Sequence, residues 1–186
     1  MIWLTRLDRH TAAPPMKGIS LTQQNKRFSP HLLAITVGTQ VAFPNKDPFF
    51  HNVFSIYQGK PFDLGLYESG ATRSVKFAKP GVSYIFCNIH PEMSAVVVAL
   101  STPYFAVTNN RGEFYISDLP PGSYELNIWY EGESDEALSK LSRKLSIDNA
   151  EYKLPAIDAF SSGPLRQHKN KYGEDYRSHE KTPYNF

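Results

Sequence analysis

Short runs of β-branched and aromatic residues recur along this chain, and Gly, Pro, Asn or Asp stands in most of the gaps between them. Runs of this kind at short spacing are typical of β-sandwiches and barrels. Strands do not alternate with long helical patterns, which argues against an α/β fold. The sequence therefore predicts an all-β fold built from two groups of strands. The first group comprises 19–24, 32–38, 51–57, 73–77, 82–86 and 95–100, and the second comprises 104–108, 113–117, 124–130 and 143–147.

Two stretches depart from the strand pattern. The segment SDEALSKL predicts a short helix over 134–141, because Ser134 is a favourable N-cap and acidic residues follow it in the first turn. Leu138 and Leu141 would lie on one face of this helix. From about Ser161 the sequence is polar and charged, and we expect an extended or partly disordered arm there.

Charge and hydropathy exclude several classes of partner. The 186-residue chain has a formal net charge of +2, and its basic residues are scattered rather than clustered, which argues against nucleic acid as the main ligand. The longest apolar run, 94–100, is far shorter than the roughly 20 residues of a membrane-spanning helix. The N-terminus lacks the features of a signal peptide. If the protein is exported, we expect its signal peptide to have been removed or to lie outside this chain.

Cys87 is the only cysteine, which excludes an internal disulfide and every metal site that needs two thiolates. It begins the segment CNIHPEM, in which His90 follows three residues later and Met93 six residues later. Because predicted strands 82–86 and 95–100 flank this segment, the three side chains share one tight loop. A thiolate, an imidazole and a thioether together suit copper better than zinc, calcium or magnesium.

A second histidine is needed for the blue-copper ligand set, which consists of two histidines, one cysteine and a weak axial methionine. His10 lies near the N-terminus and His31 lies beside a proline, whereas His168 and His179 lie in the polar tail. His51 remains, in the segment DPFFHNVFS at the start of a predicted strand. A histidine placed among phenylalanines is an unusual choice for a surface residue, so His51 is the candidate.

Each of these residues also has a purely structural interpretation. A cysteine after an apolar strand is often a small buried hydrophobe, and a methionine often fills a core. A lone histidine among aromatic residues is usually a hydrogen-bonded core histidine. The combined spacing of Cys87, His90 and Met93, with His51 upstream, is rare by chance. It therefore favours a metal site over separate structural roles for these residues.

Residues 23–100 resemble the cupredoxins, small blue copper proteins with a Greek-key β-sandwich or barrel. FPNKDPFFHNVFS is similar to the family's first-ligand strand, YIFCNIHPEM is similar to its ligand loop, and the short C-x-x-H-x-x-M spacing is similar to that of amicyanins. The resemblance implies one mononuclear Cu(I)/Cu(II) site with His51, Cys87 and His90 as equatorial ligands and Met93 as the axial ligand.

The same resemblance implies supporting roles for two asparagines. In cupredoxins an asparagine after the first histidine, here Asn52, ties its strand to the ligand loop by hydrogen bonds. Asn88 follows the cysteine where the family usually has Ser or Thr, so the loop partner of Asn52 is left open. The segments FDLGLYESG, FPN and HNVFS are similar to a bacterial group described as methylamine-utilisation-like or plastocyanin-like.

Residues 108–131, TNNRGEFYISDLPPGSYELNIWYE, resemble the carboxypeptidase regulatory-like, or transthyretin-like, β-sandwich. This stretch contains no catalytic set of residues, so we expect a structural or interaction module. The second strand group is short for a complete sandwich, and the apolar segment MIWLTRLD could supply a missing strand. The expected organisation is an N-terminal strand region, a cupredoxin domain, a second small β-sandwich and a polar C-terminal tail. Their ranges are 1–18, 19–102, 103–158 and 159–186.

The function expected from these residues is one-electron transfer rather than enzyme catalysis. The sequence lacks the His-x-His pairs that multicopper oxidases and copper nitrite reductases need. We expect His90 to be the exposed ligand, with Pro91 beside it in a docking patch for a redox partner protein. The resemblance implies a periplasmic or other extracytoplasmic location. A copper carrier or sensor without electron transfer and a metal-free interaction protein remain alternatives.

Overall fold

A computed structural model describes residues 1–9, 11–56, 59–148, 152–159 and 169–176. These residues form fourteen β-strands and one short α-helix, which confirms the all-β fold class. In chain order the elements are β1 (Ile2–Arg6), β2 (Ile19–Ser20), β3 (Thr22–Gln23), β4 (Phe28–Ser29), β5 (Leu32–Thr36), β6 (Gln40–Pro44), β7 (His51–Ser55), β8 (Phe62–Tyr67), β9 (Thr72–Lys76), β10 (Gly81–Phe86), β11 (Ser94–Leu100), β12 (Phe105–Ala106), β13 (Gly122–Ile128), α1 (Asp135–Leu141) and β14 (Arg143–Ile147).

The first strand group folds into two facing sheets. A five-stranded sheet has the order β5-β11-β10-β7-β8, and a three-stranded sheet has the order β2-β6-β9. Strands β5 and β11 are parallel, whereas the other neighbours in the larger sheet are antiparallel. Ile35, Val53 and Val97 of the larger sheet share one buried cluster with Phe43 and Val75 of the smaller sheet. The metal-ligand candidates therefore lie in a sandwich with a single apolar core.

Strand β11 is buried along nearly its whole length, and both of its faces are covered. Val97 and Ala99 belong to the core of the first sandwich, whereas Val96 and Val98 belong to a second cluster on the opposite face. A strand covered on both sides needs apolar residues at successive positions. This explains the continuous apolar run in the segment SAVVVAL.

The second strand group forms a four-stranded sheet with the order β12-β1-β13-β14. Strand β1 pairs antiparallel with both β12 and β13, with Ile2 opposite Ile128. Because side chains alternate along a strand, Trp3 packs in the cluster shared with the five-stranded sheet, whereas Ile2 and Leu4 pack on the far face. The five-stranded sheet is thus the middle of three layers.

Helix α1 confirms the helix predicted from the sequence. The Ser134 side chain caps it by accepting a hydrogen bond from the Ala137 N–H at 3.2 Å. Leu138 is buried in the cluster between the two larger sheets, and Leu141 packs on the far face of the second sheet. The helix therefore contributes one apolar side chain to each face of the second sheet.

The segment 113–117, predicted as a strand, is not a strand in the structure. It lies between a turn at Asn109 and Asp118, whose φ of 54° interrupts an extended backbone. Phe114 and Ile116 still pack on the far face of the second sheet, so their burial is achieved by covering the sheet rather than extending it. The domain limits at 18, 102 and 158 remain predictions.

The polar tail predicted from residue 159 is described in part. Residues 160–168 and 177–186 lie outside the described residues, and 169–176 make defined contacts with the first sandwich. Within the described ranges, α1 is too short to cross a bilayer and no other helix has the length and apolarity to do so.

Candidate metal centre

The sheet pairing brings His51 and the ligand loop together. Strand β7 begins at His51 and lies beside β10, which ends immediately before Cys87. The loop is held tightly, because the Cys87 N–H donates to the Met93 carbonyl at 3.2 Å and the Met93 N–H donates to the His90 carbonyl at 3.0 Å. The short spacing in CNIHPEM therefore folds into a compact turn that returns the chain into β11.

Three potential donor atoms converge at this point. The Nδ1 atoms of His51 and His90 lie 3.2 Å apart, and the Cys87 Sγ lies 3.8 Å from the first and 3.7 Å from the second. Two nitrogens and one sulfur bound to one metal at about 2.0–2.3 Å in a trigonal arrangement are roughly 3.5–3.8 Å apart. The observed spacing fits one small metal ion.

Asp47 orients the first imidazole. Its carboxylate lies 2.7 Å from the Nε2 of His51, and both side chains are buried. A carboxylate accepts a hydrogen bond, so the proton of His51 is assigned to Nε2. The Nδ1 of His51 then presents a lone pair toward His90 and Cys87, which is the form that a metal ligand requires.

Asp47 was not predicted from the sequence as a residue of the site, although it lies in the segment DPFFHNVFS four residues before His51. Burial alone would raise the pKa of this carboxyl, but hydrogen bonds from His51 and from the N–H groups of Lys26 and Asn25 outweigh it and lower the pKa. Asp47 thus remains a carboxylate that can hold the imidazole, as is common next to metal-binding histidines.

The Cys87 thiol is fully buried, and burial raises its pKa above the usual value. Backbone N–H groups of Asn52, Ile89 and His90 act in the opposite direction, because they stabilise the thiolate by hydrogen bonding. Without a metal the site therefore favours a neutral thiol, whereas the backbone already points donors at the sulfur. This environment suits a thiolate whose charge is balanced by a bound cation.

Met93 is fully buried in the same cluster as Cys87. Its place at the end of the loop, one residue before β11, brings its main chain next to that of Cys87. The role of Met93 as an axial ligand remains a proposal.

The two asparagines bind partners that the sequence did not indicate. The Asn52 side chain donates to the Asp63 carboxylate at 2.8 Å, and not to the ligand loop as the resemblance implied. The Asn88 side chain accepts a hydrogen bond from the Lys171 N–H at 3.0 Å. Any connection between the first-ligand strand and the loop through these two side chains therefore involves other residues.

His90 lies at the rim of the site, partly buried, whereas His51 is completely buried. Burial, with His51 beside it, lowers the pKa of His90. The ring of Phe49 contacts both imidazoles, at centroid distances of 5.2 Å to His51 and 5.7 Å to His90. Phe49 is itself 37% exposed and was not identified from the sequence as a residue of the site.

The remaining histidines are not part of this cluster as far as the structure describes them. His31 is bonded to the Glu131 carboxylate at 2.6 Å and to the Ser94 carbonyl at 3.2 Å. His10, His168 and His179 lie outside the described residues.

The donor set fits copper. Two imidazole nitrogens and one thiolate, with a thioether in the adjoining loop, form the softer kind of ligand set that copper prefers over magnesium or calcium. The described residues contain one cluster of this type, at His51, Cys87 and His90. The site is therefore suited to a single mononuclear copper ion.

No protein-family profile matches this sequence, and no curated protein is significantly similar to it. Among solved structures, a Cu-containing nitrite reductase (NirK) from Thermus scotoductus SA-01 is 27% identical, with a TM-score of 0.45 over 53% of this chain. The match spans 26% of the nitrite reductase chain.

Two smaller proteins are also similar. A purple cupredoxin from Nitrosopumilus maritimus is 26% identical, with a TM-score of 0.40, over 44% of this chain and 99% of its own. Amicyanin from Paracoccus versutus is 19% identical, with a TM-score of 0.41, over 52% of this chain and 97% of its own.

Proposed function

We propose that this protein binds one copper ion through His51, Cys87 and His90, with Met93 as a weak axial ligand, and acts as a one-electron carrier. The observation that carries the proposal is the convergence of two imidazole Nδ1 atoms and one thiol sulfur at 3.2–3.8 Å. Bound copper would supply the change between Cu(II) and Cu(I) that electron transfer requires.

The protein's own contribution is to hold the donors in place before the metal binds. Asp47 fixes the His51 ring, and the hydrogen bonds within the loop fix Cys87 relative to Met93. Donors held by a surrounding network keep one arrangement in both oxidation states, which favours electron transfer over bond-making chemistry. We therefore propose a carrier and no enzymatic step.

We propose a docking face beside His90. It comprises Phe49, whose ring centroid lies 5.7 Å from that of His90, with the adjacent Phe50 and the two chain neighbours of His90, Ile89 and Pro91. Phe50 is 56% exposed, Phe49 is 37% exposed and Ile89 is 36% exposed, and Pro91 is also exposed. A small apolar face at the rim of the site suits the brief contacts that redox partners make. We propose that a redox partner protein docks there, in the periplasm or another extracytoplasmic space.

Titration of the metal-free protein with Cu(II) tests this proposal. We expect one copper per chain and an intense thiolate-to-copper band in the visible spectrum. Cys87→Ser should abolish the band, and His51→Gln and His90→Gln should weaken or shift it. His31→Gln is the matched control, since His31 bonds Glu131 away from the cluster, and it should leave the band unchanged. A wild-type protein without the band, or a Cys87→Ser variant that keeps it, would contradict the proposal.

A further inference from the structure

The segment 169–176, here called the C-terminal strap, has a defined local structure. The Asn170 side-chain oxygen accepts hydrogen bonds from the N–H groups of Tyr172 and Glu174, and the Gly173 N–H donates to the Asn170 carbonyl. Gly173 has a φ of 80°, which other residues adopt only with strain. The strap is therefore an ordered turn rather than a simple extension of the polar tail.

Lys171 joins the strap to both sides of the metal site. Its backbone N–H donates to the side-chain oxygen of Asn88 in the ligand loop at 3.0 Å. Its Nζ donates to one oxygen of the Asp63 carboxylate at 2.8 Å, and the other oxygen accepts from Asn52 at 2.8 Å. Since Asn52 follows His51 directly, one strap residue connects the first-ligand strand to the ligand loop.

Tyr176 makes the third contact. Its hydroxyl donates to the carbonyl oxygen of Cys87 at 2.7 Å. The N–H of Cys87 is already bonded to the Met93 carbonyl, so both of its main-chain polar groups are engaged. The Tyr176 hydrogen bond therefore restrains the peptide between Cys87 and Asn88, next to the thiol.

We propose that the C-terminal strap is part of the metal site, with Lys171 and Tyr176 as positioning residues that connect the first-ligand strand to the ligand loop. The side-chain hydrogen bond that cupredoxin resemblance placed between Asn52 and the loop is replaced here by a relay through Asp63 and Lys171, which adds to the contact of the Asn52 backbone N–H with the Cys87 sulfur. The expected effect of the strap on bound copper rests on the proposed copper function. The effect of the strap on the ligand loop does not, because it can be measured in the metal-free protein.

The relay predicts reciprocal coupling between the strap and the metal. The Lys171–Asp63 ion pair is partly exposed, and such a pair alone contributes little. The three contacts act together, because each restrains the same short segment against the same loop. If the strap restrains the loop, copper binding must stabilise the strap by the same free energy with which the strap stabilises bound copper.

Gly173→Ala tests the coupling without removing any contact atom. The space around Gly173 is open, so the substitution strains only the backbone of the turn. Gly112→Ala is the matched control, because Gly112 has a φ of 78°, open surroundings and the same pattern of turn hydrogen bonds beneath the second sheet. Hydrogen–deuterium exchange followed by mass spectrometry reports on the strap and on loop 87–93 in the metal-free protein.

We expect Gly173→Ala to speed exchange in the strap and in loop 87–93, and Gly112→Ala to leave both unchanged. In the copper-loaded protein, transfer of copper to a chelator should be about two- to tenfold faster in Gly173→Ala, as expected for the loss of a hydrogen bond or two. Copper should in turn slow exchange in the strap of the wild type.

Tyr176→Phe removes only the hydroxyl that bonds Cys87, and Tyr115→Phe, at a side chain that is 81% exposed, is its control. Tyr176→Phe should shift the thiolate-to-copper band and accelerate copper release, whereas the control should do neither. If loop exchange is unaffected in Gly173→Ala while the strap is loosened, the strap is packing only and the inference is wrong. If the wild type binds no copper, the proposed function fails, and the exchange of the metal-free loop still decides for or against the strap.

Discussion

The two larger sheets differ in what they bury. The Arg6 side chain of the second sheet is 6% exposed. Among the described residues, the polar and charged residues that are buried as a whole, except Thr102, lie between Gln23 and Ser83, in or beside the first sandwich. They include His51, Asp47 and Asn52 of the metal centre. The cluster on the far face of the second sheet consists of aliphatic and aromatic side chains such as Leu126 and Tyr124.

Burial of polar groups is unfavourable unless each finds a partner, so the burial of Asp47, His51 and Asn52 beside Cys87 indicates a purpose other than stability. The first sandwich holds these buried groups next to the donor cluster, whereas the second sheet is held mainly by apolar packing. We expect changes in the second sheet to alter stability and changes near His51 to alter metal binding.

The largest effect on stability should come from Leu126→Ala. Leu126 is completely buried in the apolar cluster of the second sheet, and truncation of such a side chain costs about 2–5 kcal/mol. Denaturant unfolding of the metal-free protein measures the loss. Copper stoichiometry and the visible band should not change. A folded Leu126→Ala variant that fails to bind copper would show that the second sheet also controls metal binding.

Asp47→Asn should affect copper binding more than it affects stability. It removes the carboxylate that holds His51, and such a change next to a metal-binding histidine typically costs about 10–100-fold in metal affinity. The loss of stability should be smaller than that of Leu126→Ala, at about 1–3 kcal/mol. Competition with a copper chelator measures the affinity. Asp158→Asn, at an exposed position, is the control, and equal affinities in the two variants would show that Asp47 does not position the imidazole.

The smallest effect concerns the ion pair of His31 and Glu131, which joins the first sandwich to the second strand group. The Glu131 carboxylate raises the pKa of His31 above its ordinary value of 6.5. A raised folded-state pKa means that the pair stabilises the protein below about pH 6.5 and that this contribution is lost as pH rises through the folded-state pKa. Because the His31 side chain is half exposed, the effect should stay below about 1 kcal/mol.

Unfolding of the wild type and of Glu131→Gln at about pH 5.5 and about pH 8.5 checks this sign. The wild type should be the more stable at the acidic pH, and the difference should shrink at the alkaline pH. A difference that grows with pH would show that the pair does not act through protonated His31.

Much of the fold could be predicted from local pattern. The apolar run 95–100 predicts a strand, and the N-cap and acidic first turn of 134–141 predict a helix. Cys87, His90 and Met93 lie close together in the sequence, and His51 stands out among phenylalanines. Strands β6 and β8 were missed because their signals are interrupted. The first ends at Pro44, and the second contains Gly65 at a φ of 66°.

The contacts of the strap could not be predicted, because Lys171 and Tyr176 meet residues 83 to 108 positions earlier in the chain. No periodicity within the tail encodes where it docks. The turn at 170–174 could nevertheless have been predicted, since the pattern N-x-x-G-E also occurs at 109–113. Both copies form the same hydrogen bonds. Asp47 was missed because a carboxylate in a loop before a strand is ordinarily a solvated turn residue.

A spectroelectrochemical titration of the copper-loaded protein tests whether the site carries electrons. The thiolate-to-copper band should bleach on uptake of one electron per copper and return fully on oxidation. The midpoint should be the same in both directions, and copper should be retained in the presence of a chelator. Loss of copper to the chelator on reduction, or a band that does not return, would contradict an electron carrier and would favour a copper-transfer role for the same site.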